Sequence, residues 1–71
     1  GELVDYEKEL ARLKSELEKA ESEIARANGK LNNAGFVSKA PKALIDGEKA
    51  KVAKYTDIKE KILAGIKELQ N

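Results

Sequence analysis

The sequence predicts an all-α protein in which two long helices form an antiparallel coiled-coil hairpin, and three observations predict it. Apolar residues recur every seven positions through the first half of the 71-residue chain. A second apolar stripe at helical spacing fills the other half, and a single stretch, Asn32 to Pro41, separates the two. Charged residues make up 38% of the chain, with 14 bases against 13 acids, a composition of long exposed helices rather than of a compact α/β domain. A chain this short forms one small domain, or is a piece of a larger protein, and has little core of its own.

The first helix is expected over about residues 2–33. Leu3, Leu10, Leu17, Ile24 and Leu31 hold one heptad position, and Tyr6, Leu13, Ala20, Ala27 and Ala34 hold another three residues later. The second series shrinks toward the bend, so the partner helix should approach more closely there. Helix support comes from packing and from pairs such as Glu16 with Lys19. Asn28-Gly29 resembles a turn dipeptide, but both series stay in register across it. A helical glycine costs only about 1 kcal/mol relative to alanine, so the helix is carried through. Gly1 reads as an expression scar.

The bend is expected over about residues 34–40. Gly35 can take the left-handed backbone that ends a helix, Asn32 and Asn33 tolerate the same region, and the fixed φ of Pro41 suits the first turn of the next helix. The second helix then runs over about residues 41–70 with Leu44, Ile45, Val52, Tyr55, Ile58, Ile62, Ile66 and Leu69 along one face. Its register is looser. Glu48 stands where the stripe predicts an apolar residue, Ile58 lies one position off the place held by Lys59, and Gly47 and Gly65 weaken the helix. Bending or fraying is expected near Gly65. Two such helices make a rod about 40–48 Å long. Because the connection is short, they should pair within one chain as a monomer; a parallel homodimer would need neither the bend nor two matching stripes.

The residue inventory excludes much chemistry. Without His or Cys there is no imidazole catalyst, thiol nucleophile, zinc cluster or disulfide, and the redox compartment stays open. Glu16, Glu18, Glu21 and Glu23 lie on an exposed helix with no pocket to shift their pKa, and no phosphate-cradling loop is present. No catalytic residue, metal ligand or cofactor is therefore assigned. Apolar runs are too short for a membrane span or signal peptide, and the apolar face that surface binding needs is used inside the hairpin, so a soluble protein without a membrane partner is expected.

A net charge of +1 hides an asymmetry. Residues 1–25 carry eight acids against four bases, whereas residues 26–54 carry Arg26, Lys30, Lys39, Lys42, Lys49, Lys51 and Lys54 against only Asp46 and Glu48. Each base alone reads as a solvated surface charge. Together, clustered at the hairpin end, they attract a polyanion with salt-sensitive affinity. Phe36, the only phenylalanine, has two readings. It caps the coiled-coil core against Ala34 and Leu44, or it stacks on an unpaired base, which is worth about 1–3 kcal/mol. Tyr6 and Tyr55 lie on the apolar stripes and read as core.

The order of these features resembles a known family. Leu3-Val-Asp5, a heptad helix ending in Lys30-Leu-Asn32, and a second helix with Glu48, Lys49 and Tyr55 are similar to the C-terminal tRNA-binding arm of bacterial valyl-tRNA synthetases. The specific part is the Leu-x-Asn-x-x-Phe-x-x-Lys-Ala-Pro spacing, which runs from Leu31 through Asn32-Asn33 and Phe36 to Lys39-Ala40-Pro41. The resemblance covers essentially the whole chain. It implies a C-terminal fragment of a larger cytoplasmic enzyme, leaning on the outer corner of tRNA where the D- and T-loops meet. The remainder of the synthetase would use ATP and Mg to charge valine-specific tRNA, and the fragment itself would do no chemistry. The candidate RNA-binding residues are then Arg26, Lys30, Asn33, Phe36, Lys39, Lys42, Lys49, Lys51 and Lys54. Gly29, Gly47 and Gly65 depart from the charged or apolar helix formers more usual in such arms. Two alternatives stay open: the coiled-coil arm of a ribosome-associated ABC-family ATPase, against which the Phe-x-x-Lys-Ala-Pro run argues, and a purely structural or protein-interaction coiled coil.

Overall fold

The computed structural model describes the backbone from Glu2 to Asn71, so the reading of Gly1 as an expression scar lies outside the described residues. Three helices follow in order: α1 (Glu2–Leu31), α2 (Ala34–Lys39) and α3 (Lys42–Gln70). The long helices α1 and α3 pack against each other along their length, and no strand occurs among the described residues.

Two ion pairs between the helices fix the register. Lys30 of α1 reaches Glu48 of α3 at 3.6 Å, and Lys59 of α3 reaches Glu21 of α1 at 3.2 Å. As one number falls the other rises, so the helices are antiparallel, as their short connection dictates. Extended along both helices, this register sets the end of α3 level with about residue 8 of α1. The first turns of α1 therefore overhang, and Leu3 and Val4 are exposed. Overhang and tip together lengthen the molecule to 55 × 14 × 14 Å, beyond the length expected for the paired helices alone.

The core is a narrow seam. Ala20 and Ala27, the shrinking members of the second heptad series, are 2% and 1% exposed, and Ile62 is 8% exposed. Leu10, Leu13, Leu17, Ile24 and Leu31 on α1, with Ile45, Val52, Tyr55, Ile58, Ile66 and Leu69 on α3, are half-buried along its edges. Two helices cannot enclose large side chains completely, so the small ones disappear and the large ones cover them. Beside Ala20 the short side chain leaves a shallow groove lined by Glu16, Lys19, Tyr55, Ile58 and Ile62.

Four local expectations are corrected. The bend is itself partly helical, since α2 occupies most of it, and Gly35 lies within α2. No described glycine has positive φ, so the reversal is made by caps rather than by a left-handed glycine. Asn33 caps α2 with its side-chain oxygen, which accepts from the Phe36 amide at 3.2 Å. Ala40 then takes an extended backbone, as the residue before a proline must, and donates to the Phe36 carbonyl at 2.8 Å. Pro41 is the N-cap of α3; it has no N–H of its own to satisfy, and its carbonyl accepts from the Leu44 and Ile45 amides at 3.0 and 3.3 Å.

Second, α3 runs unbroken through Gly47 and Gly65. Gly65 is half-buried against Leu13, and a Cβ placed there would sit 3.7 Å from Leu13 Cδ1, so packing holds the helix where propensity alone would loosen it. Third, Leu44 leaves the apolar face and is 56% exposed. Fourth, Glu16 accepts from Arg12 at 3.0 Å rather than pairing with Lys19. Arg12 also donates to Glu9, and this bond, the charge of Glu9 and that of Glu16 hold the guanidinium above its ordinary pKa.

Candidate nucleic-acid interface

The basic residues sit where the seam meets the tip. α1 carries Arg26 and Lys30 on its last two turns, α2 carries Lys39 in its last turn, and α3 carries Lys42, Lys49, Lys51 and Lys54 on its first half. The antiparallel register brings residues 26–30 of α1 level with residues near 49–53 of α3, so bases far apart in sequence become neighbours.

Their electrostatic partners differ. Arg26 pairs with Glu23 at 3.4 Å, and Lys42, with its side chain 91% exposed, pairs with Asp46 at 3.5 Å. Such solvated pairs are weak and leave the cation available to a stronger anion. Lys30 and Lys51 both approach Oε2 of Glu48, at 3.6 and 3.4 Å. These distances exceed the roughly 2.7–2.9 Å of a tight charge-assisted bond, and an ammonium has three donors, so each lysine keeps hydrogens directed at solvent. Lys54 lies over the Tyr55 ring with its Nζ 5.4 Å from the centroid. Lys39 and Lys49 are exposed and have no carboxylate partner among the described residues.

The two remaining candidates have structural duties. Asn33 holds the Phe36 amide through its side-chain oxygen, and its NH₂ stays open to a ligand. Phe36 is half-buried at the tip, and Leu44, one of the two residues it was expected to cover, is exposed.

The structure adds residues that the pattern did not mark. Val37 and Leu44 are exposed apolar side chains on α2 and on the first turn of α3, adjoining Lys39 and Lys42 in sequence. An apolar surface beside bases suits contact with a base face or a ribose. Val37 carries no periodic signal, and Leu44 looked like core, so neither was separable from a buried residue in the sequence. Glu48 is the other addition: it is only 8% exposed yet lies among bases. Its break in the apolar stripe was the visible signal, but its partner on α1 was not.

Chemically, the arrangement can hold an extended anion. No group of three His, Cys, Asp or Glu side chains converges to hold a metal among the described residues. Among the described residues no helix is long and apolar enough to cross a membrane.

Comparison with known proteins gives a consistent answer. The family described as the valyl tRNA synthetase tRNA binding arm matches residues 5–70. The chain is similar to the valine–tRNA ligase of Clostridium tetani, 52% identical over 69 residues, and to that of Clostridium perfringens, 51% identical over 69 residues; each match covers 97% of this chain and 8% of the ligase. The valine–tRNA ligase of Oceanobacillus iheyensis is 43% identical over 68 residues, covering 96% of this chain and 8% of the ligase. The chain thus spans about 8% of the length of these curated relatives. No solved structure gives a significant match.

Proposed function

The chain belongs to the valyl tRNA synthetase tRNA binding arm family, and from that membership we propose that it is the C-terminal arm of a valine–tRNA ligase, touching the outer corner of tRNA where the D- and T-loops meet. The observation that carries this reading is the crowding of seven bases into the half of the rod nearest the bend, on a chain matched by the family from residue 5 to residue 70. The arm contributes binding free energy and orientation. Lysine and arginine neutralise phosphates, and the tip, with Phe36, Val37 and Leu44, meets an exposed base or base pair.

Activation of valine with ATP and Mg, and transfer to valine-specific tRNA, belong in this proposal to the remainder of the ligase. The arm acts by raising the residence of tRNA on that body. Separated from it, the arm loses the effective concentration that tethering supplies, so its own affinity is weak. The rod shape suits this role. A seam of alanines and interlocked leucines makes a stiff strut about 14 Å across that carries a basic tip away from its base.

The test is an NMR titration of the labelled chain with folded tRNA at low and moderate salt. Amide shifts confined to residues 26–54 and lost at higher salt support the proposal. Absence of shifts at low salt favours a structural or protein-interaction coiled coil instead, and equal response to ribosomal RNA fragments removes the preference for tRNA.

A further inference from the structure

The bases near the tip do not surround the rod evenly. Residues on a helix advance by about 100° each, so Lys49 and Lys51 project from nearly opposite sides of α3. Lys30 and Lys51 meet at the same carboxylate oxygen, which puts these two on one flank of the hairpin. Lys54, one turn beyond Lys51, and Arg26, one turn before Lys30, continue that flank. Four bases, two from each helix, thus share one side at one level of the rod. The opposite flank at that level has Lys49 and, about two turns nearer the tip, Lys42; α1 offers it Asn28 and Asn32, which carry no charge.

The carboxylates sharpen the contrast. On the crowded flank Glu23 pairs with Arg26, and Glu48 lies beneath its two lysines, only 8% exposed. Glu48 therefore draws lysines from two helices to within about 7 Å of each other while showing little negative charge to solvent. Two cations at that separation can engage one phosphate, or neighbouring phosphates of one strand, in a way that an isolated surface lysine cannot.

We infer that the arm has a sided RNA face: the flank carrying Arg26, Lys30, Lys51 and Lys54 tracks the nucleic-acid backbone, and the flank carrying Lys49 faces solvent. This inference rests on the tRNA-binding reading above and adds to it the orientation of the rod about its long axis.

The experiment measures the affinity of the 71-residue chain for folded tRNA over a series of salt concentrations, for the unaltered protein and for Lys54→Ala, Arg26→Ala and Lys49→Ala, each checked for helix content by circular dichroism. Lys54 and Lys49 stand on one helix, five residues apart, and neither has a carboxylate partner among the described residues, so they differ in flank and in the contact of Lys54 with the Tyr55 ring. Expected are about three- to ten-fold weaker binding and a salt slope shallower by about 0.7–0.9 for Lys54→Ala and for Arg26→Ala, with smaller changes in both for Lys49→Ala. Losses for Lys49→Ala that equal or exceed those of the other two overturn the sided face while leaving tRNA binding intact. An unaltered chain with no salt-sensitive affinity for tRNA overturns the underlying reading itself.

Discussion

Lys30 of α1 and Glu48 of α3 meet 3.6 Å apart across the helix pair, at a position where the α3 stripe calls for an apolar side chain. A carboxylate placed there loses hydration and regains it only in part from two half-exposed lysines. Replacement of Glu48 by Gln leaves the two ammonium groups facing each other without a counter-charge and should lower stability by about 1 kcal/mol, or about 4–8 °C in Tm for a domain of this size. Glu48→Leu removes the same counter-charge but restores the apolar seam, so its Tm should exceed that of Glu48→Gln. Thermal unfolding followed by circular dichroism checks both, and a lower Tm for Glu48→Leu than for Glu48→Gln would contradict the account.

Asn33 anchors the tip through the bond it accepts from the Phe36 amide. Asn33→Ala removes the cap at a local cost of about 1 kcal/mol, which corresponds to about five-fold faster exchange of the Phe36 amide hydrogen. Amides in the middle of α3 should keep their protection. Hydrogen exchange read by NMR resolves the two, and unchanged exchange at Phe36 would mean that the cap holds nothing.

The glycines separate by what surrounds them. A Cβ at Gly29 or Gly47 meets nothing within 4 Å, and both lie within helices, so each change to alanine should stabilise by about 0.5–1 kcal/mol. A Cβ at Gly35 would lie 3.2 Å from Oδ1 of Asn33, the atom that caps α2. Gly35→Ala should therefore gain little or lose stability despite its helical backbone. Denaturant midpoints of the three variants, compared at constant m-value, give the order directly.

Lys39 and Lys42 flank the turn into α3 and are the bases nearest the end of the rod. Under the proposed function, replacing both by alanine weakens tRNA binding and flattens its salt dependence by up to about two phosphate contacts. Equal affinity and slope for the double variant would place the contact on the shaft rather than at the tip.

Much of the architecture was legible in the sequence, and what escaped has physical reasons. The heptads from Leu3 to Leu31 identify α1 because a seam of constant period has one explanation. The bend was visible from Asn32 to Pro41, but its internal turn was not: a six-residue helix such as α2 exists only through its caps and its packing on α1. Leu44 shares the helical spacing of buried residues but lies beyond the reach of α1. Among the candidate residues, sequence identified the charges and the end of the rod at which they gather. Their division between two flanks depends on which α1 residue stands opposite which α3 residue, and that register is visible only in contacts such as Lys30 with Glu48 and Glu21 with Lys59.

The nesting of those contacts about one bend has a kinetic consequence. The Lys30–Glu48 contact closes a loop about half as long as the Glu21–Lys59 contact, and each doubling of loop length adds about 0.6 kcal/mol of closure entropy. Closure entropy therefore favours zipping from the tip outward, and the end with least to hold it is the one where the first turns of α1 overhang α3.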